Sequence, residues 1–228
     1  MSDQLFVKDR DVVVPGETLA TGLSYIPGQY MYREGNNIIA AKVGLVSVEG
    51  KVLKLVPLAS PFIPKVGDVV IGVVEDVMLM GWRFNIGGPN SAVLNVKDAT
   101  NEFIGRGVDL TQYFGLGDMV FCKIVNVTSQ NLIDVTMRGP GLRKLDGGRV
   151  MRINPAKVPR VIGKDGTMTK MIMDETKTDI VIGQNGVIWI SGSPEGEVKA
   201  ANAIRKIDEN AHMSGLTQAI KRFLEGGE

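Results

Sequence analysis

Val158-Pro-Arg-Val-Ile-Gly-Lys-Asp-Gly166 is the stretch on which the reading of this sequence turns. Pro159 suits the first turn of a helix, where a missing N–H is not needed, so a short helix is expected to end near Ile162. Gly163-Lys-Asp-Gly166 then forms a G-x-x-G turn. A second helix is predicted over residues 167–177, with Met168, Met171 and Ile172 at helical spacing. Upstream, residues 148–154 read as a strand. Downstream, residues 178–182 and 187–191 read as strands joined through Gly183-Gln-Asn-Gly186, because Asn-Gly is the preferred type I′ hairpin pair. Residues 194–213 form a long predicted helix with Val198, Ala201, Ile204 and Ile207 as its inner stripe. Residues 217–228 look helical through Ala219-Ile220 and Phe223-Leu224.

The order β-α-α-β-β-α, with G-x-x-G between the first two helices, is that of a type I KH module. Its chemistry follows from the turn. Neither Gly163 nor Gly166 carries a Cβ, so another backbone can pass closely. The second helix begins there with free N–H groups and the positive end of its dipole. Such a turn clamps the sugar–phosphate backbone of about four nucleotides. Lys164 fills one loop position, and Arg152, Lys157, Arg160 and Lys170 are expected to surround it. Asp165 is expected to face away or to cap the second helix. Gly183, Asn185 and Gly186 are read as a structural turn joining two strands.

Charge distribution supports a polyanionic partner although the net charge is only +1. Residues 138–170 carry nine basic side chains against two acidic ones, a local excess of seven. Residues 62–137 carry five basic and eight acidic side chains, and residues 1–60 are balanced at six each.

Working back toward the N-terminus, residues 139–147 read as a linker rich in glycine. Before it lie five strand-like runs, at 69–77, 81–87, 91–96, 119–127 and 132–137, with one long excursion after the third. That pattern fits a five-stranded Greek-key barrel of the OB type over residues 61–138. In the second run Trp82, Phe84 and Ile86 alternate with Arg83 and Asn85, one face apolar and one polar. Trp82 is expected in the core or at its rim, and Arg83 is a candidate RNA contact. The excursion holds Arg106 between two glycines, an exposed position for a phosphate contact. Residues 57–64, with three prolines, are a stiff connector. Residues 1–60 contain short strand-like runs at 11–16, 28–32, 38–43 and 51–56, a small β domain suited to protein contacts. The fold class is thus multi-domain and mainly β, with an α/β C-terminal module over residues 147–228.

Catalysis is not expected. One histidine, His212, and one cysteine, Cys122, cannot make a His/Cys metal cluster or an intramolecular disulfide, and no Cys–His or Ser–His pairing is evident. Cys122 lies in an alternating apolar run and reads as a buried thiol. No phosphate loop or dinucleotide fingerprint occurs, so no cofactor is expected. No apolar run suggests a membrane span or secretory signal, and a cytoplasmic location is expected.

Val12-Val-Val-Pro-Gly16, Val66-Gly-Asp-Val-Val-Ile-Gly72, Gly81-Trp-Arg-Phe-Asn-Ile86 and the Gly183-Gln-Asn-Gly186 turn, in that order along the chain, resemble the KH-bearing cap subunits of the archaeal exosome, and the barrel resembles the repeat of ribosomal protein S-one. The resemblance implies three copies sitting on a hexameric ring of phosphorolytic nuclease subunits. Residues 1–60 would grip the ring, the barrels would surround its pore, and single-stranded RNA would be threaded inward from its 3′ end. It departs from the OB pattern in its net acidic barrel with few exposed aromatics, which moves the expected RNA contacts toward the KH side and Arg106. A free-standing RNA-binding regulator, or an appendage of a nuclease such as polynucleotide phosphorylase, are the alternatives.

Overall fold

The computed structural model describes residues 3–100, 104, 105, 107–211, 213 and 215–225. Arg106 and His212 lie outside the described residues. The chain divides between Ser60 and Pro61 into two compact units.

The first unit holds eight short strands: β1 (Gln4–Leu5), β2 (Val12–Val13), β3 (Thr18–Thr21), β4 (Ile26–Pro27), β5 (Met31–Glu34), β6 (Asn37–Ala40), β7 (Gly44–Glu49) and β8 (Val52–Pro57). They form two four-stranded sheets, ordered β1-β3-β6-β5 and β2-β7-β8-β4. Val13, Leu19, Ala20, Ile38, Ala40, Val46 and Leu53 fill the core between them. Strands β1, β3, β4 and β7 go beyond the four runs expected from sequence. Thr18–Thr21 buries only two side chains, and Gly44–Glu49 begins with a glycine, so neither gives a strong alternating signal.

The second unit opens with the barrel. Its strands are β9 (Val69–Met78), β10 (Gly81–Asn85), β11 (Ala92–Asn95), β12 (Met119–Val127) and β13 (Ile133–Thr136). Antiparallel pairs run β9–β10, β10–β11, β12–β13 and β12–β9, and a parallel β11–β13 pair closes the five-stranded barrel. Trp82, Phe84 and Ile86 all point into its core, and Trp82 is fully buried. The Trp82 indole N–H donates to the carbonyls of Leu110 and Phe114 at 3.3 and 3.0 Å, which satisfies its one polar atom. Those acceptors belong to the excursion, which also forms a single helical turn, α1 (Val96–Ala99). Leu110 and Phe114 are buried in the barrel core, with the Phe114 ring edge-on to Trp82 at 5.0 Å between centroids, so this part of the excursion packs on the barrel.

Residues 139–147 are not merely a linker. Within them β14 (Arg143–Leu145) pairs with Met119–Phe121 of β12 and adds a sixth strand to the barrel sheet. Lys144 of this strand reaches Asp118 at 2.6 Å. Burial alone would raise the Asp118 carboxyl, but the Lys144 ammonium, the Gly115 N–H and the Lys144 charge outweigh it and hold the group below its usual range.

The C-terminal module follows as β15 (Arg149–Arg152), α2 (Val158–Ile162), α3 (Thr167–Thr176), β16 (Asp179–Ile182), β17 (Val187–Ser191), α4 (Pro194–Glu209) and α5 (Leu216–Leu224). The antiparallel sheet has the order β15-β17-β16. Val161, Ile172, Ile188, Ile190, Ile204 and Ile207 form the shared core of sheet and helices. The inner face of α4 differs from the expected stripe. Ala200, Ala201, Ala203, Ile204 and Ile207 are buried, whereas Val198 is 46% exposed. Small alanines let α4 approach its neighbours, and that face excludes Val198. Helix α5 packs on α3 and α4 through Leu216, Ile220 and Leu224, which supplies the partner that its sequence left open.

Candidate nucleic-acid interface

The G-x-x-G turn sits where α2 ends and α3 begins. Gly163 has φ 75° and ψ 176°, a conformation essentially limited to glycine. A Cβ there would lie 2.7 Å from the Met168 Cβ and 2.8 Å from the Met168 nitrogen. The turn therefore requires glycine at its first position on both counts. Asp165 occupies the left-handed region at φ 53°, which aspartate tolerates better than most residues. It does not cap α3, whose first turn has no side-chain cap; the Thr167 hydroxyl instead donates to the Lys164 carbonyl at 2.8 Å. The Thr169 hydroxyl donates to the Val161 carbonyl at 3.0 Å and ties the start of α3 to α2. What faces solvent is a turn opening onto a ten-residue helix, whose first turn has no side-chain cap.

The basic side chains divide into two groups. Arg160, Lys164 and Lys170 are exposed on α2, the turn and the first part of α3, and none makes an ion pair among the described residues. These three are free to meet phosphates. The others are already engaged. Lys157 is turned inward, its ammonium donating to the Asp208 carbonyl at 2.6 Å and pairing with the Asp208 carboxylate at 3.3 Å. It serves the last turn of α4, where a cation is favourable, and is thereby already engaged. Arg143 pairs with Asp179 and lies over the Trp189 ring, Lys144 pairs with Asp118, and Arg149 approaches Glu197 at 3.9 Å. Arg138 donates to the Thr100 carbonyl. Arg152 is exposed and unpaired among the described residues, but it lines a cleft against the barrel rather than the turn. Arg83 is held near Asp76 at 3.9 Å on a surface that also carries Glu75.

Gly183-Gln-Asn-Gly186 differs from expectation in both turn type and reach. Only Gly186 has positive φ, at 81°, and the Gly186 N–H donates to the Gly183 carbonyl at 3.0 Å. The loop is thus a type I turn followed by a left-handed glycine, and not type I′. Its side chains dock on the barrel. Strand β9 runs past its last partner in β10, the pair Val73 and Asn85, which leaves the Val69 and Ile71 edges open on that side. The Asn185 amide closes that edge. Its Oδ1 accepts from the Ile71 N–H at 3.3 Å, and its Nδ2 donates to the carbonyls of Ile71 and Ile86 at 2.8 and 2.9 Å. Two residues upstream, the Val69 N–H donates to Gln184 Oε1 and the Gln184 N–H to the Val69 carbonyl, both at 2.8 Å. One turn of the KH module thus imitates a neighbouring strand. A Cβ on Gly183 would sit 2.8 Å from the Ile71 nitrogen, so close approach explains that glycine. Ile71, Leu145, Val181, Val187 and Trp189 bury the rest of the contact.

No group of three or more His, Cys, Asp or Glu among the described residues could hold a metal ion. Cys122 is buried and its thiol is pushed up to about 12 by burial, which makes it a poor nucleophile. No helix of the described residues is long and apolar enough to cross a membrane.

A closed OB-like barrel joined to a type I KH domain, behind a small β domain, defines a modular protein of the RNA-binding class. Comparison with known proteins narrows this. Residues 148–196 match the KH domain family, and residues 10–59 match the family described as the exosome RNA binding protein RRP4 N-terminal domain. The chain is 42% identical over 225 residues to the exosome complex component Rrp4 of Pyrococcus abyssi, covering 97% of this chain and 84% of that one. It is 44% identical over 221 residues to the same component of Methanothermus fervidus, covering 96% and 97%. A crystal structure described as an exosome complex RNA-binding protein superposes with a TM-score of 0.66 at 36% identity, covering 73% of this chain and 97% of that one. The chain belongs to the Rrp4 family of exosome complex components.

Proposed function

We propose that this chain is a non-catalytic, RNA-binding cap of an exosome. Three copies sit on a hexameric ring of phosphorolytic nuclease subunits, held by residues 1–60, in the cytoplasm. The barrel and KH module gather single-stranded RNA and lead its 3′ end toward the ring, where cleavage takes place. No cofactor is needed for that role. The carrying observation is the trio Arg160, Lys164 and Lys170, exposed and unpaired among the described residues, around the turn of Gly163, Asp165 and Gly166. Family membership and the naming of its relatives as exosome complex components support the assembly. Arg106 is a further contact in this proposal.

Replacing Arg160 and Lys164 together by glutamate is expected to leave the fold intact, since both are exposed. It is expected to weaken single-stranded RNA binding at least tenfold at low salt. The slope of log affinity against log salt should become shallower by about 1.4, at roughly 0.7 per phosphate contact on a single strand. Fluorescence anisotropy across a salt series measures both. Unchanged affinity and slope would remove the turn from RNA binding.

A further inference from the structure

A cleft of about 280 Å³ opens between the barrel and the KH module, lined by Phe62, Pro89, the Gly87-Gly88 backbone, Arg152, Pro155 and Val187 among others. Its size is just under the roughly 300–1,000 Å³ of sites for drug-sized ligands, which suits a single nucleotide. Its walls are preformed, because the Asn185 amide and the Ile71 and Trp189 cluster fix the two modules against each other. Phe62 packs on the barrel core and also lines the cleft, and Pro89 and Pro155 offer further flat apolar faces. A Cβ added to Gly87 or Gly88 would meet nothing within 4 Å, so that wall is bare backbone with open space before it. Arg152 is the sole charged side chain of the lining, exposed and without an ion pair among the described residues.

We propose that this cleft is a nucleotide subsite that holds one base of single-stranded RNA against Phe62 and the prolines, with an adjoining phosphate on Arg152. The subsite rests on the RNA-binding reading above and deepens it. Aromatic and apolar faces stack any base, so the site is sequence-tolerant. The guanidinium grips phosphate through paired N–H donors. The subsite lies on the seam between barrel and KH module.

The test is a salt-series titration of a labelled single-stranded oligonucleotide against the full chain, Arg152→Ala and Arg152→Glu. A photo-crosslinking run with 4-thiouridine RNA, read by mass spectrometry, accompanies it. Arg152→Ala is expected to lower affinity about tenfold, as for a lost hydrogen bond to a charged group. Its salt slope should fall by about 0.7. Arg152→Glu should lose more, and the wild-type crosslink should fall on the peptide that contains Phe62. Wild-type affinity and slope in both variants, with RNA still bound by the parent chain, would overturn the subsite alone. A parent chain that binds no RNA would overturn the functional reading and the subsite with it.

Discussion

Replacing Asn185 by alanine is expected to cost about 3 kcal/mol or more of unfolding free energy, although the residue sits in a hairpin turn of a small module. The reason is that its amide makes three hydrogen bonds to barrel backbone 99 to 114 residues away. Truncation leaves the Ile71 N–H and two carbonyls buried without partners, each worth about 1–3 kcal/mol. The loss should also loosen the coupling of barrel and KH module, so urea unfolding should broaden or split into two steps. Asn185→Asp is the sharper variant. It keeps the shape but sets a carboxylate against two carbonyl oxygens and removes both donors. Its folded-state carboxyl is pushed upward, so the folded state binds more protons than the unfolded one. The deficit is therefore expected to shrink as pH falls toward the unfolded value of about 3.9. If Asn185→Ala unfolds within about 0.5 kcal/mol of the parent, the amide is not the clamp described above.

The second large effect is expected at the G-x-x-G turn and separates its two glycines. Gly163→Ala meets both a glycine-only backbone conformation and a Cβ contact of 2.7 Å with Met168, and should cost about 3 kcal/mol. Gly166 has φ 77° and ψ 8°, and a Cβ there would meet nothing within 4 Å. Gly166→Asn, which can adopt the left-handed conformation, should cost under about 1 kcal/mol. Equal losses in chemical denaturation would contradict the geometry. A substitution at Gly163 also probes the turn rather than the RNA contact, which is why the charged positions beside it serve for binding tests.

The contrast between these two turns marks what the sequence could show. Val158 to Gly166 announced itself through local rules: a proline at a helix start, a G-x-x-G turn, and a helical stripe immediately after. Such rules act within a few residues and need no knowledge of the rest of the chain. Asn185-Gly186 also looked local, and its hairpin role followed from the pair alone. Its docking on Ile71 depended on a strand edge left open more than a hundred residues earlier, which nothing near the turn signals. The same limit explains the basic segment. Its cation excess was plain, but Lys157, Arg143, Lys144 and Arg149 are neutralised by Asp208, Asp179, Asp118 and Glu197, three of them contributed by other elements of the KH module. Strand β14 escaped because three residues carrying two cations, set among glycines, resemble a linker. Periodicity favours large apolar residues such as Val198, whereas the tightly packed face of α4 selects alanines.

Size-exclusion chromatography with light scattering on this chain mixed with cognate nuclease-ring subunits tests its place in an assembly directly. The expected result is one species whose mass corresponds to three copies per hexameric ring. A chain and a ring that elute separately at micromolar concentrations, while the chain still binds RNA, would contradict the cap assignment and leave a free-standing RNA-binding protein.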